Sequence, residues 1–340
     1  MRRGILWLGL ALGSAMAAEN GTAPAATESA ETPAPHWITL ASGERDGMYY
    51  WFANVLGGVV SQPPGALPCD KGCGLDGGVL VNVSSEGSLD NLERLRTGKA
   101  QTAFAQSSLA YAAYSGQPPF EDKGNDALRA IASFYPEVLH IVVAEESGIT
   151  GIEALAGKRI AMGSMQSGTL GSAQNLLTLY GLKSGDYHTE NLKLDDAMRS
   201  FLQGDVDALF FFSAAGNPLV KNIAAQKPVR LLAIRGDALK QLVRENSYYQ
   251  PFTIPANTYQ AQTEAVAGVA VQALWLTTAA MEEERVYALT KAAWEGKSHV
   301  TWLMDVMPRG AWEMDNALKG IGIPLHPGAK KYYNEIGKRF

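Results

Sequence analysis

The stretch Ile160-Ala161-Met162-Gly163-Ser164-Met165-Gln166-Ser167-Gly168-Thr169 decides how the rest of the chain is read. A short apolar run stops at a glycine, passes through a small polar turn and opens a segment with helical spacing that extends to Tyr180. The same grammar recurs along the chain. Polar turns beginning at Ser42, Ser84, Gln106, Ser164 and Ser213 each follow a strand pattern and precede a helix pattern. Strands alternating with helices point to parallel βαβ units. In open α/β sheets, ligands lie beyond the carboxyl ends of the strands, where helix N-termini offer free N–H groups. Each turn taken alone reads more readily as ordinary N-capping by Ser and Thr. Five together point to a shared cleft.

On either side of this stretch, strands are expected at Trp37–Ser42, Val79–Val83, Thr102–Ala105, Arg129–Phe134, Leu139–Ala144, Ala208–Phe212 and Val229–Ile234. Helices are expected at Met48–Ser61, from Leu89 to Gly98, and over Leu109–Tyr114, Ile149–Leu155, Asp195–Gln203, Leu219–Ala225 and Asp237–Glu245. Asp195-Asp196 and Glu282-Glu283-Glu284 fall where helices should start, and acids there complement the helix dipole.

Arg2-Arg3 followed by the apolar run Gly4–Met16 and by Ala15-Met16-Ala17 has the form of a signal peptide, with cleavage before Ala18. No cysteine follows that cut, so a lipid anchor is not expected. Val266–Leu276 is too short to cross a bilayer. Residues 18–36, rich in Ala, Pro, Thr and Glu, read as a flexible leader. About 300 residues then remain, which suits two lobes better than one core. Cys69 and Cys73 lie in a Gly-rich loop. In an exported chain that pair reads as a disulfide, since a redox pair would want C-x-x-C and a metal site more ligands.

A net charge of −5 without a basic cluster argues against nucleic acid as a partner. No G-x-S-x-G, Walker A, G-x-G-x-x-G or zinc spacing of the five histidines is present. No catalytic residue, metal site or cofactor is therefore expected.

A series of motifs in order resembles the TAXI family of solute receptors that serve TRAP transporters. These are Tyr49-Tyr50, Glu86 to Leu92, Ala103 to Ser107, Tyr135-Pro136-Glu137 with Leu139 to Val143, Leu155 to Arg159, Gly163 to Thr169, Gly204 to Ala208, Ile254 to Tyr259 and Pro324 to Ala329. The resemblance runs from about Trp37 to Lys338. It implies a type II periplasmic-binding-protein fold, α/β, with two lobes joined by a hinge. Lobe 1 would comprise 37–138 and 278–340, and lobe 2 would comprise 139–277, with crossings near Leu139–Ala144 and Val269–Thr277. It also implies a periplasmic, monomeric receptor that delivers glutamate or a dicarboxylate-like ligand to membrane transporter subunits. An exported sensor of the same fold is the alternative.

The residues expected to meet a small organic anion or amino acid are Ser42, Arg45, Tyr49, Ser88, Asn91, Gln106, Ser107, Ser164, Ser167, Gly168, Thr169 and Asn217. The turn Gly43-Glu44-Arg45-Asp46-Gly47 departs from the mostly Gly and Thr turn of the family. Arg45 could grip a carboxylate bidentately, Glu44 or Asp46 could bind an ammonium, or the three charges could form a solvated cluster.

Overall fold

The computed structural model describes residues 36–67, 74–246, 248–300, 307 and 310–339. The signal peptide, almost all of the leader and the Cys69–Cys73 pair lie outside the described residues.

Twelve strands form one continuous sheet. Two of them are unusually long. Strand β6 (Leu128–Ala144) has 17 residues and β12 (Val266–Thr278) has 13. At about 3.3 Å per residue, β6 is roughly 55 Å long. The two pair antiparallel from Leu128–Thr278 to Val138–Ala270 and carry the sheet from one half of the molecule to the other.

On one side β1 (His36–Ala41) pairs parallel with β4 (Gly78–Val83) and β5 (Thr102–Gln106), and β5 pairs antiparallel with β12. The short β2 (Ser61–Gln62) and β3 (Leu75–Asp76) extend that edge. On the other side β7 (Arg159–Ala161) pairs parallel with β8 (His188–Glu190) and β9 (Ala208–Ser213). Strand β9 lies antiparallel to β6, as does β10 (Val229–Leu231), while β11 (Gln250–Ile254) lies antiparallel to β12. The expected parallel units are present within each half, and the long strands that join the halves run antiparallel to their neighbours.

The sequence divides β6 into two strands around Pro136, and the structure runs it straight through. Proline lacks an N–H and is tolerated where no ladder partner needs one. Pairing of β6 with β9 begins only at Val138, so at Pro136 one edge of β6 is free of it. Opposite Pro136, the Gln272 N–H donates instead to Ser107 Oγ at 3.0 Å. The short helix expected at Ile149–Leu155 forms only a 3-10 turn, Ile152–Leu155, and another 3-10 turn, Glu145–Ser147, precedes it. Strands β8 and β11 had no counterpart among the expected elements.

Two lobes are visible in the cores. In the first, Phe134 stands among Phe52, Phe104, Trp275, Trp294 and Trp312, with ring centroids 4.7–6.1 Å from it. In the second, one apolar cluster around Ile141, Ile160, Leu176 and Phe210 covers one face of the sheet. Another, around Val142, Phe201, Leu209 and Ile223, covers the opposite face.

Helices open beyond the ends of these strands. Helix α1 (Met48–Val60) buries Phe52, Ala53, Leu56 and Val60. Helix α2 (Ser88–Arg96) carries Asp90 in its first turn and Arg94 and Arg96 in its last, as the dipole favours. Helix α3 (Ser107–Ser115) leaves β5 without a loop. Helix α4 (Thr169–Leu179) buries Thr169, Ala173, Leu176 and Leu177, spaced along one face. Helix α5 (Leu194–Gln203) starts with Asp195 and Asp196, which pair with Arg199 at 2.6 and 3.1 Å. Glu283 and Glu284 likewise occupy the first turn of a helix, Glu283–Glu295. Among the described residues no helix is long and apolar enough to cross a membrane.

Candidate functional site

The turns after β1, β4, β7 and β8 meet the end of β5 and the strand β9 around a cavity of about 120 Å3. A single water needs roughly 10–15 Å3 measured this way, so the space suits a ligand of about ten non-hydrogen atoms. Its polar lining comes from both lobes. Tyr49, Ser88, Gln106, Tyr135 and Glu137 belong to the first lobe and the crossing strand, and Ser164, Ser167, Gly168 and Thr169 to the second. Leu209 to Phe212 of β9, with Ala161, Leu192 and Leu194, supply an apolar wall.

The lobes touch across the cavity. The Leu89 N–H donates to the Gln166 carbonyl at 3.1 Å, and the Ser164 hydroxyl donates to the Glu86 carbonyl at 3.2 Å. The Leu194 N–H donates to Glu44 Oε2 at 2.7 Å, and Lys193 pairs with Glu86 at 3.7 Å. Two glycines permit this approach. Gly87 has φ +118°, and a Cβ there would come within 3.2 Å of Ser167 Cα. A Cβ on Gly168 would fall 2.2 Å from Gln106 Oε1.

At the floor of the cavity lies Glu137, only 4% exposed. Its carboxylate accepts a hydrogen bond from the Tyr49 hydroxyl. Burial pushes its pKa up to about 7, although hydrogen bonds from Tyr49 and Gln106 pull the other way. The same burial, reinforced by the nearby carboxylate, holds both Tyr49 and Tyr135 well above the ordinary phenol value. The Gln106 amide N–H faces Glu137, which leaves Gln106 Oε1 without a partner, and the Tyr135 hydroxyl has none either.

Of the twelve residues expected at the site, Tyr49, Ser88, Gln106, Ser164, Ser167, Gly168 and Thr169 line this cavity. The other five do not. Ser42 is fully buried, and its hydroxyl donates to the Val83 carbonyl at 3.3 Å. Asn91 ties the ends of β1 and β5 together through Nδ2, at 2.7 Å from both the Ser42 and Phe104 carbonyls. Ser107 Oγ is taken by Gln272 N–H. Asn217 caps the helix Pro218–Gln226, accepting from the Leu219 N–H at 2.6 Å. Arg45 is exposed and lies with Asp46, Trp51 and Asn217 around a separate, open hollow. Glu44, from the same charged turn, does line the cavity. Even among the seven, Ser164 and Ser167 are partly committed. The first bridges the lobes, and Ser167 Oγ accepts from the Thr169 N–H at 3.3 Å.

Glu137 and Tyr135 are absent from the expected set. The sequence signal for Glu137 was partial: it is the one charged residue between Ala130 and Val138, and such residues are almost never fully buried unless paired.

Residues 40–337 match the NMT1-like family. The chain belongs to that family. It is similar in fold to PhnD1 from Prochlorococcus marinus (MIT 9301), solved in complex with methylphosphonate. That likeness has 10% identity and a TM-score of 0.51, and covers 90% of this chain and 100% of the other. It is also similar to a protein solved in work on glutathione import via GshT and the cystine ABC importer TcyBC of Streptococcus mutans. Here the identity is 11% and the TM-score 0.50, over 83% of this chain and 98% of the other. The periplasmic aliphatic sulphonate binding protein SsuA from Escherichia coli shows 17% identity and a TM-score of 0.44, over 88% and 84%. The fold is that of the periplasmic binding proteins.

Proposed function

We propose that the chain is an exported solute receptor, a binding protein and not an enzyme, which closes its lobes on a small ligand and presents it to a membrane transporter. The observation that carries this reading is the cavity lined from both lobes and roofed by direct hydrogen bonds between them, Leu89 to Gln166 and Ser164 to Glu86. A ligand touching both walls favours the closed arrangement, since only differential affinity shifts such an equilibrium. Strands β6 and β12, common to both lobes, are where the hinge would flex. Residues 37–138 and 278–340 would move as one body against 139–277. Support for a receptor comes also from neighbours of the same fold, one solved with methylphosphonate and one from work on glutathione import.

The narrower reading is a TAXI receptor in the periplasm, monomeric, delivering its ligand to TRAP-type subunits. The ordered motifs from Tyr49-Tyr50 to Pro324–Ala329 support it. A carboxylate on the ligand would lie at the mouth of α4, where Gly163 to Thr169 meet the cavity and the helix dipole favours negative charge.

Mass spectrometry of small molecules released on denaturing the purified protein identifies the ligand. Small-angle scattering with and without that molecule tests closure. A smaller radius of gyration with ligand is expected. An unchanged radius at saturation would count against the hinge.

A further inference from the structure

We propose that the ligand presents a positively charged N–H group, an ammonium or amidinium, to Glu137 and Gln106 at the floor of the cavity. This deepens the receptor reading and rests on it.

The charges that line the cavity are all acidic: Glu44, Glu86 and Glu137, with no Lys, Arg or His among the described lining residues. Lys193 reaches Glu86 only at the mouth. A buried carboxylate without a cationic partner is costly, and Tyr49 supplies a single neutral donor. The orphaned groups beside it are of the matching kind. Gln106, 4% exposed, turns its amide N–H toward Glu137, and its carbonyl, packed against the Gly168 turn, has no donor. Reversing the amide would set its oxygen against the carboxylate. Tyr135, 2% exposed, has a free hydroxyl. One lining thus holds a carboxylate, an unpartnered carbonyl and an unpartnered hydroxyl, and an ammonium brings three donors. A ligand carboxylate in the same place would face Glu137 and the Gln106 carbonyl, with Tyr135 as its one ready donor. The Gln106 carbonyl is also fixed in place, because the turn at Gly168 packs against it too closely for a Cβ.

Protonation is coupled to this contact. Burial raises Glu137 to about 7 in the unliganded protein, and a cation against it would lower it again. Binding near neutral pH should then release a proton. The titratable groups around Glu137 are Tyr49 from α1, Tyr135 from β6, Glu44 from the turn before α1 and Glu86 from the turn before α2. Both tyrosines stay neutral through this range.

The test is a panel of amino acids, linear amines and guanidine against matched acids without basic nitrogen, among them glutarate, succinate and 2-oxoglutarate. Binding is read by thermal shift and by calorimetry in two buffers of different ionisation enthalpy. An amine-bearing member should bind about tenfold more tightly near pH 8 than near pH 5.5, with proton release. Glu137→Gln should lose about tenfold in affinity and all of the pH dependence. Proton release is read on the unaltered protein, so it stands even where the variant folds poorly. Binding of the acids alone, proton uptake in place of release, or undiminished amine binding by E137Q would overturn the proposal and leave the receptor reading standing. Binding of no member would overturn both.

Discussion

Glu137 and His140 stand three residues apart on β6, both almost wholly buried. Burial moves each away from its ionised form, Glu137 up to about 7 and His140 down to about 4. Their surroundings differ. His140 Nδ1 donates to the Val138 carbonyl at 2.9 Å, and Nε2 accepts from the Tyr259 hydroxyl at 2.8 Å. Tyr259 in turn accepts from the Gly216 N–H at 2.9 Å, and the imidazole stacks on Phe211 at 5.1 Å. Every polar atom of that neutral ring is used. Glu137 has a phenol and an amide as partners, with orphaned groups beside it and open space in front. An odd spacing on a strand sends the two side chains to opposite faces. One faces a packed core and the other a cavity. A buried ionisable group is thus structural when its hydrogen bonds close on themselves, and marks a site when they do not.

The substitution that should strain this contrast most is His140→Leu. It strands the Val138 carbonyl and the Tyr259 hydroxyl, so urea unfolding near pH 8 should show a loss of about 2–4 kcal/mol. Glu137→Gln should do the reverse. The folded protein keeps the Glu137 proton up to about pH 7, whereas the unfolded chain releases it near 4.5. Stability therefore falls as pH rises through that window, and the amide removes the penalty. A gain of up to about 3 kcal/mol near pH 8, vanishing below pH 4.5, is expected in the difference between variant and parent. His140 has the opposite slope. Unfolded it takes a proton below 6.5, folded only near 4, so its contribution is lost as pH falls through that range. The two offset each other between about 4.5 and 6.5, and E137Q should uncover the histidine slope alone.

Smaller effects are expected at two other positions. Tyr49→Phe removes the donor to Glu137 and should cost about 1–3 kcal/mol near pH 8, less where the carboxyl is protonated. Parallel urea titrations at the two pH values check it. Thr169→Val, at the mouth of α4, should leave folding nearly unchanged and weaken ligand binding by about 1–2 kcal/mol in calorimetry.

Much of this was legible in the residues. The strand–turn–helix grammar places seven of twelve expected residues around one cavity, because a small polar turn after an apolar strand dictates both the backbone path and the exposed face. Single side chains were harder to place. Ser42 and Asn91 have the right chemistry and position in sequence, yet the strand ends they join consume their hydrogen bonds. Arg45 points away because its turn folds back, with the Gly47 N–H donating to the Glu44 carbonyl at 2.8 Å. Glu137 follows a proline that, read locally, ends a strand. Only the pairing pattern shows that the strand continues and carries the carboxylate into the cleft.

One NMR titration addresses both residues at once. With carboxyl-labelled glutamate and labelled histidine, assigned through E137Q and His140→Leu, Glu137 should titrate near 7 in the unliganded protein, and its midpoint should drop when an amine-bearing ligand is added. His140 should stay neutral down to about 4 in both states. A Glu137 midpoint near 4.5 without ligand, or one that rises on binding, would contradict the account.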